Sequence, residues 1–170
     1  IASDVARVWL RSLAPLLKGG TVALTVPSWG SLVETFKITA AELGAQNIHF
    51  YDRLTRDQFM AQLSAHDVFL SAARSDSSPA SLIEACGLGL VPVCADIPGV
   101  QEWMGEQSGY TFAPDDEGEL RQKIEQIIAA VDHSMSIRQK NSERVKREAV
   151  FENNVADTIS AFLNIAGVGA

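Results

Sequence analysis

Short apolar runs alternate along this chain with longer segments of helical periodicity, and this alternation most constrains the fold. Four of the runs predict strands that are apolar on both faces: residues 21–26, 48–51, 67–71 and 90–94. Strands of this kind are typical of a parallel sheet that helices cover on both faces. The sequence therefore predicts an α/β domain built on a doubly wound, Rossmann-like parallel sheet.

Capping residues and glycines predict where the helices begin and end. The first helix is expected from Ser3 to about Lys18, and Thr55 is expected to cap a later one. Ser78 is predicted as an N-cap with Pro79 at the first helical position, where proline is tolerated. The other predicted elements are helices over 31–43, 100–104, 116–131, 136–150 and 154–166, and a strand over 110–112.

Size, charge and cysteine content limit the class of protein. A chain of 170 residues predicts one domain over 1–170, with C-terminal helices from about residue 134. The net charge of −7 argues against a nucleic-acid partner. No signal peptide is visible, nor any apolar run of about 18 residues. Cys86 and Cys94 lack metal-ligand spacing and are predicted as buried free thiols. A cytoplasmic protein is expected, and because the chain opens at Ile1 we expect it to be part of a larger one.

A single charge, Glu84, lies between Asp76 and Asp96 in an otherwise apolar helix-then-strand segment. An unpaired buried charge is costly, so this carboxylate needs a reason. The helix start just before it offers unpaired N–H groups that suit a phosphate. A carboxylate about one and a half turns further on can accept hydrogen bonds from adjacent sugar hydroxyls. The residues alone leave a second interpretation open, in which Ser78 only caps the helix and Glu84 faces water.

Several motifs occur here in a fixed order. A strand that begins with Asp67 is followed by an acidic residue and, after seven intervening residues, by a glutamate. An Ala-x-x-x-Gly-x-x-Pro-Val run comes directly after the glutamate, and Gly-x-x-Glu follows at residues 99–102. The acidic residue is Asp76 and the glutamate is Glu84. Together with segments 48–54 and 109–114, this order resembles family 4 glycosyltransferases with the GT-B fold, over roughly residues 20–165.

The resemblance implies the C-terminal half of a GT-B enzyme, with the N-terminal acceptor domain absent from this chain. Such a domain binds a nucleotide-diphospho-sugar donor, here a UDP- or GDP-sugar, and is expected to be inactive when isolated. Family members transfer the sugar with retention, without a bound metal or other cofactor, to a glycan or lipid-linked acceptor. A hexosyltransferase, or another glycosyltransferase of polysaccharide biosynthesis, is the function that the resemblance implies.

The resemblance also implies roles for particular positions. Glu84 matches the glutamate that holds the ribose hydroxyls, and Asp76 matches the catalytic acidic residue that faces the donor sugar. The family segment that meets the diphosphate and the sugar is matched by Ser78, Pro79, Ala80, Ser81 and Leu82. The loop that flanks the base is matched by Arg53 and Leu54.

Some positions depart from the family pattern. Aspartate replaces the usual glutamate at Asp76, and Asp52 replaces a glycine that flanks the base. These changes motivate one alternative, a degenerate GT-B module without catalysis; a second alternative is a nucleotide-sugar 2-epimerase-like enzyme. Trp29, in the loop after the first strand, is either a packing residue or a ligand contact. The basic cluster at residues 138–147 is either a solvated helix face or a peripheral contact with an anionic membrane.

Overall fold

The computed structural model describes residues 2–77, 79–105, 107–149 and 154–155, and the side chains from residue 7 onward. The strands are β1 (Leu24–Pro27), β2 (Ile48–Tyr51), β3 (Val68–Ser71), β4 (Val91–Ala95) and β5 (Tyr110–Phe112). The helices are α1 (Ala2–Lys18), α2 (Val33–Leu43), α3 (Arg56–Ser64), α4 (Ala80–Gly87), α5 (Pro98–Gln101), α6 (Glu117–Ala129) and α7 (Val131–Glu148).

All described strand pairs are parallel, and strands alternate with helices, so the α/β fold class is confirmed. The strands form two hydrogen-bonded groups, β2–β1 and β3–β4–β5. In the register, Leu24 is opposite Ile48 and Val68 is opposite Val91. The single sheet that the sequence predicts is therefore seen as two groups of described strands, and the division falls between β1 and β3.

Two clusters of buried side chains form the core. The larger surrounds β3, β4 and β5 and includes Val93, Phe112 and Leu120. The smaller one joins β1 to α2 through Val26 and Phe36. Burial of such side chains is the main source of stability in a domain of this kind.

Several predicted boundaries agree closely with the structure. β2 and β5 begin and end where the sequence predicts. Thr55 caps α3 in a capping box: its hydroxyl accepts from the Gln58 amide, and the Gln58 side chain accepts from the Thr55 amide. Gly44 ends α2 in the left-handed conformation, at φ 60°, which favours glycine.

Other boundaries differ, and one predicted cap position is wrong. Pro79 is the N-cap of α4 rather than its first helical residue, because its ψ of 68° is not helical. The predicted cap Ser78 lies outside the described residues. The break between α6 and α7 falls at Ala130 alone, with φ −125° and ψ 63°, so Ser136, predicted as the start of a helix, lies inside α7.

Smaller shifts affect other elements. The first strand begins at Leu24, and the short helix α5 begins at Pro98 rather than at residue 100. Of the predicted helix at 154–166, only Asn154 and Val155 are described, and both are helical. None of the helices in the described part of the chain has the length and apolar character needed to cross a membrane.

Candidate functional site

A cleft of about 430 Å³ lies where β1 and β2 end. The loops that follow these strands, the first turns of α3 and one side chain of α4 form its walls. Open α/β sheets bind ligands outside the carboxyl ends of their strands. The cleft is therefore in the place where the fold favours a ligand; its lining residues are Trp29, Tyr51, Arg53, Leu54, Thr55, Arg56, Phe59 and Glu84.

Glu84 is the acidic side chain of this cleft. Its side chain is 23% exposed, and its Oε1 lies 2.9 Å from the Nη2 atom of Arg56. The lone carboxylate of the apolar segment is therefore half-buried and paired, and it does not face open water. Arg56 is 74% exposed, so the pair leaves the carboxylate accessible from the cleft.

The capping box of α3 positions Arg56. The Thr55 amide donates to Gln58 Oε1 at 2.9 Å, and the Gln58 amide donates to Thr55 Oγ1 at 3.3 Å. These reciprocal bonds fix the first turn of the helix, where Arg56 is the first residue. The guanidinium therefore extends from a rigid helix start toward α4.

Aromatic side chains form the other wall of the cleft. The rings of Trp29 and Tyr51 meet edge to face, with centroids 5.2 Å apart. The guanidinium carbon of Arg53 lies 5.9 Å from the centroid of the Trp29 ring. Ser28 donates to Asp52 at 2.6 Å and ties the two loops together. The result is a partly exposed aromatic and cationic surface that suits a planar ligand.

The structure brings together three of the predicted site residues, Arg53, Leu54 and Glu84, at the cleft. Sequence reasoning missed Arg56 as a site residue, although its position beside a predicted helix cap was a usable signal. It left Trp29 undecided between packing and ligand contact, and the structure places it in the cleft wall.

The predicted segment before and within α4 lies outside the cleft lining. Pro79 is buried and has no N–H group, and the side chain of Leu82 is 1% exposed in the core. Ala80 and Ser81 are exposed at the helix start. A proline N-cap supplies no side-chain hydrogen bond to the first turn. Ser78 is outside the described residues.

Asp76 is exposed and does not line the cleft. Its backbone lies against Gly99 in α5, because a Cβ atom built on Gly99 would stand 1.9 Å from the Asp76 carbonyl oxygen. Only glycine allows this approach. The glycine of the Gly-x-x-Glu motif therefore sets the position of the loop that carries Asp76.

The nearby cation Arg74 is engaged elsewhere. Its Nε and Nη2 atoms donate to Asp115 Oδ1 at 3.2 and 2.7 Å. Part of the basic cluster on α7 also makes internal contacts: Arg138 donates to the carbonyl of Gly89, and Arg144 donates to the carbonyl of Trp103 at 2.8 Å. These arginines hold α7 against the rest of the domain.

Cys86 and Cys94 are buried free thiols, as the sequence predicts. Burial raises the pKa of Cys86 to about 11 and the pKa of Cys94 to about 12. Such thiols stay protonated near neutral pH and are poor nucleophiles. Within the described residues, no group of three or more His, Cys, Asp or Glu side chains could hold a metal ion.

Comparison with known proteins identifies the family. The family model described as "Glycosyl transferases group 1" matches residues 24–144. This chain therefore belongs to the group 1 glycosyl transferases. No curated protein matches it by sequence.

Solved structures of glycosyltransferases share its fold. The chain is similar to the catalytic domain of cholesterol-alpha-glucosyltransferase from Helicobacter pylori, at 18% identity and a TM-score of 0.73, over 83% of this chain and 88% of that one. It is similar to a glycosyltransferase from Rickettsia africae ESF-5, at 16% identity and a TM-score of 0.84, over 96% of this chain and 45% of that one.

A third similar structure is Alr3699/HepE from Anabaena in complex with UDP-glucose. The identity is 19% and the TM-score is 0.75, over 91% of this chain and 44% of that one. The chain thus spans less than half of the Rickettsia and Anabaena proteins. At these identities the likeness establishes the Rossmann-like fold of GT-B glycosyltransferases.

Proposed function

We propose that this chain is the donor-binding, C-terminal domain of a retaining family 4 glycosyltransferase. Its donor is a nucleoside-diphosphate sugar with uridine or guanosine as the nucleoside. The acceptor, a glycan or a lipid-linked intermediate, binds to an N-terminal domain outside this chain, without which the domain is inactive. The proposal requires no metal or other cofactor.

The cleft that joins the Arg53–Leu54 loop to Glu84 carries this proposal. An edge-to-face aromatic pair with a neighbouring guanidinium suits a nucleobase. A half-buried carboxylate beside it suits the two hydroxyls of a ribose, each of which donates to one carboxylate oxygen. The Anabaena protein of the same fold has been solved with UDP-glucose, UDP and glucose, which supports a nucleotide-sugar donor here.

The start of α4 is the proposed site of the diphosphate. The backbone N–H groups of Ala80, Ser81 and Leu82 lie in the first turn, where the helix dipole favours an anion. Donors aimed at a leaving diphosphate stabilise the negative charge that develops during sugar transfer. Asp76, in the loop before this helix, is the proposed catalytic residue that faces the donor sugar.

One observation favours a second candidate, a module that binds the donor without catalysing transfer. Asp76 is exposed and lies outside the cleft lining, whereas Glu84 lies within it. Ribose binding and sugar transfer depend on different residues, so the two functions can be separated by measurement.

Calorimetric titration of the full-length protein with UDP, GDP and their sugars tests the proposal. We expect one diphosphate to bind, and we expect Glu84→Ala to weaken it by about 10-fold or more, because bonds to a charged acceptor contribute about 1.5–3 kcal/mol each. Glu117→Ala, which removes an exposed pair with Arg11, is the matched control and should bind normally. Failure of every nucleotide to bind would contradict both candidates. Donor binding without sugar transfer, or transfer that survives Asp76→Ala, would contradict the catalytic one.

A further inference from the structure

An ion pair joins two loops at the carboxyl end of the strand group β3–β4–β5. Arg74 lies in the loop from β3 to α4, and Asp115 lies in the loop from β5 to α6. The Arg74 Nε and Nη2 atoms both donate to Asp115 Oδ1, at 3.2 and 2.7 Å. All three strands are parallel and β4 is the middle one, so the pair bridges two strand spacings, about 10 Å, across the end of β4.

The turn that carries Asp115 is rigid. Asp116 Oδ1 accepts from the Glu119 amide at 2.8 Å, and the Ala113 amide donates to Glu119 Oε2 at 2.7 Å. These two bonds close the turn on both sides of Asp115 and join it to the start of α6, where Leu120 is fully buried. The turn therefore offers a fixed point to which a neighbouring loop can be held.

The backbone of Asp115 is in the left-handed region, at φ 69°. Residues other than glycine adopt this region rarely, although aspartate tolerates it better than most. Glycine would fit this backbone without strain, but it could not accept hydrogen bonds from Arg74. The contact with Arg74 thus gives a reason for a carboxylate at a strained position, and strained positions cluster at functional sites.

On the other side of the pair, Arg74 stands two residues before Asp76. Residues 74–77 are exposed, so burial does not hold this part of the loop. The close approach of the Asp76 carbonyl to Gly99 limits how near the loop comes to α5. Such a steric stop acts in one direction only, and the bonds from Arg74 to Asp115 supply a second restraint, directed along the edge of the sheet.

We propose that Arg74 and Asp115 are positioning residues, which hold the loop so that Asp76 faces the donor sugar. The proposal rests on the proposed function, in which Asp76 is the catalytic residue. Both residues act through the loop rather than on the donor, and a reacting group must be held closely to its productive position. Their side chains are 34% and 50% exposed, so the pair adds little to global stability and its effect is local.

Turnover of UDP-glucose or GDP-glucose by the full-length protein, measured as release of the nucleoside diphosphate, tests the proposal. The variants are Arg74→Met and Asp115→Gly; glycine keeps the left-handed backbone, so only the carboxylate is lost. We expect kcat to fall about 10-fold or more in each, because a displaced reacting group loses rate steeply. Donor affinity by calorimetry and the melting temperature should stay near the wild-type values. Asp115→Asn, which keeps an acceptor oxygen, should retain most of the rate.

The double variant shows whether the two residues act as one unit. We expect it to lose no more rate than either single variant, whereas independent effects would multiply to about 100-fold. The matched control is Asp67→Ala, which removes the ion pair with Arg138 at the opposite end of β3 and should leave kcat unchanged. Multiplying losses would overturn the proposal. A loss of donor affinity in Arg74→Met alone would also overturn it, because the guanidinium would then bind the diphosphate directly.

NMR relaxation of the ligand-free protein separates this proposal from the proposed function. The backbone amides of residues 75–77 should have order parameters near about 0.85 in the wild type and below about 0.6 in Asp115→Gly and Arg74→Met, while the Val100 amide in α5 stays unchanged. A loop that stays rigid in both variants would overturn the proposal; if Asp115→Gly does not fold, Arg74→Met decides. If neither sugar nucleotide binds or turns over, the proposed function fails, and with it the assignment of Asp76 on which this proposal rests.

Discussion

Arg56 and Glu84 form an ion pair across the cleft, with 2.9 Å between Nη2 and Oε1. The pair joins the first residue of α3 to the second turn of α4, two helices that follow different strands of the sheet. Because Arg56 is 74% exposed, the pair contributes about 0–1 kcal/mol to stability. Its position in the cleft that we propose as the donor site favours a role in binding rather than in folding.

Replacing Arg56 should affect a diphosphate more than a nucleoside. In Arg56→Met the carboxylate of Glu84 loses its orienting partner and the cation that offsets its charge near an anionic ligand. We expect about 10-fold weaker binding of the preferred nucleoside diphosphate, a smaller loss for the corresponding nucleoside, and a melting temperature within a few degrees of the wild type. Calorimetry with both ligands measures the difference.

The control for this variant is Lys37→Met, which removes an exposed cation paired with Glu34 outside the cleft. It should leave both affinities unchanged. Equal losses for the nucleoside and the diphosphate in Arg56→Met would show that the guanidinium acts on the nucleoside alone, contrary to the prediction.

Trp29 should report on nucleotide binding. Its ring is 37% exposed in the cleft wall, held by Tyr51 and Arg53. A base that stacks on it should quench its fluorescence, and Trp29→Ala should weaken binding by about 1–3 kcal/mol, the usual contribution of one base–aromatic stack. Trp103→Phe, at a tryptophan that packs under Arg144 away from the cleft, is the control. If nucleotide binding still quenches the fluorescence of Trp29→Phe but no longer quenches that of Trp103→Phe, the base does not stack on Trp29.

Local signals predicted the elements and part of the site. Apolar runs gave β2 and β5 without error, and Thr55 marked α3 because its capping box is encoded within four residues. Glu84 was conspicuous because an isolated charge in an apolar segment is costly. These features depend on neighbours in the sequence, which pattern analysis can read.

Features that depend on distant residues were not predictable from the pattern. The partner of Glu84 is Arg56, 28 positions earlier, and no periodicity links the two helices. The division of the sheet at β1 and β3 depends on strand pairing, which is non-local. The break at Ala130 carries no glycine or proline, so the sequence predicted a boundary between α6 and α7 but placed it several residues too late.

Gly99 should tolerate no side chain. A Cβ there would lie 1.9 Å from the Asp76 carbonyl oxygen, so Gly99→Ala must displace the Asp76 backbone or α5. Overpacking of this kind costs about 1–3 kcal/mol. We expect urea unfolding to show that loss, and in the full-length protein we expect sugar transfer to fall further than donor binding.

Gly105→Ala is the matched control for that variant. The nearest atom to its Cβ would be Ser108 Oγ at 3.7 Å, which is an ordinary contact. Its stability should stay within about 0.5 kcal/mol of the wild type. If Gly99→Ala were as stable as Gly105→Ala, the close approach to Asp76 would not constrain the loop.

The buried thiols should make stability fall at alkaline pH. Burial raises the pKa of Cys94 to about 12, whereas an unfolded cysteine titrates near about 8.5. Above the pKa of the unfolded state, the unfolded chain releases a proton that the folded protein retains. The free energy of unfolding therefore decreases as pH rises, with a limit of about 1.4 kcal/mol per pH unit for each thiol.

Urea unfolding under reducing conditions at pH 7.5, 9 and 10 measures this slope. Cys94→Ala should be less stable at pH 7.5, because it leaves a cavity, but its stability should fall less steeply with pH. Parallel curves for the two proteins would mean that the thiol titrates alike in both states.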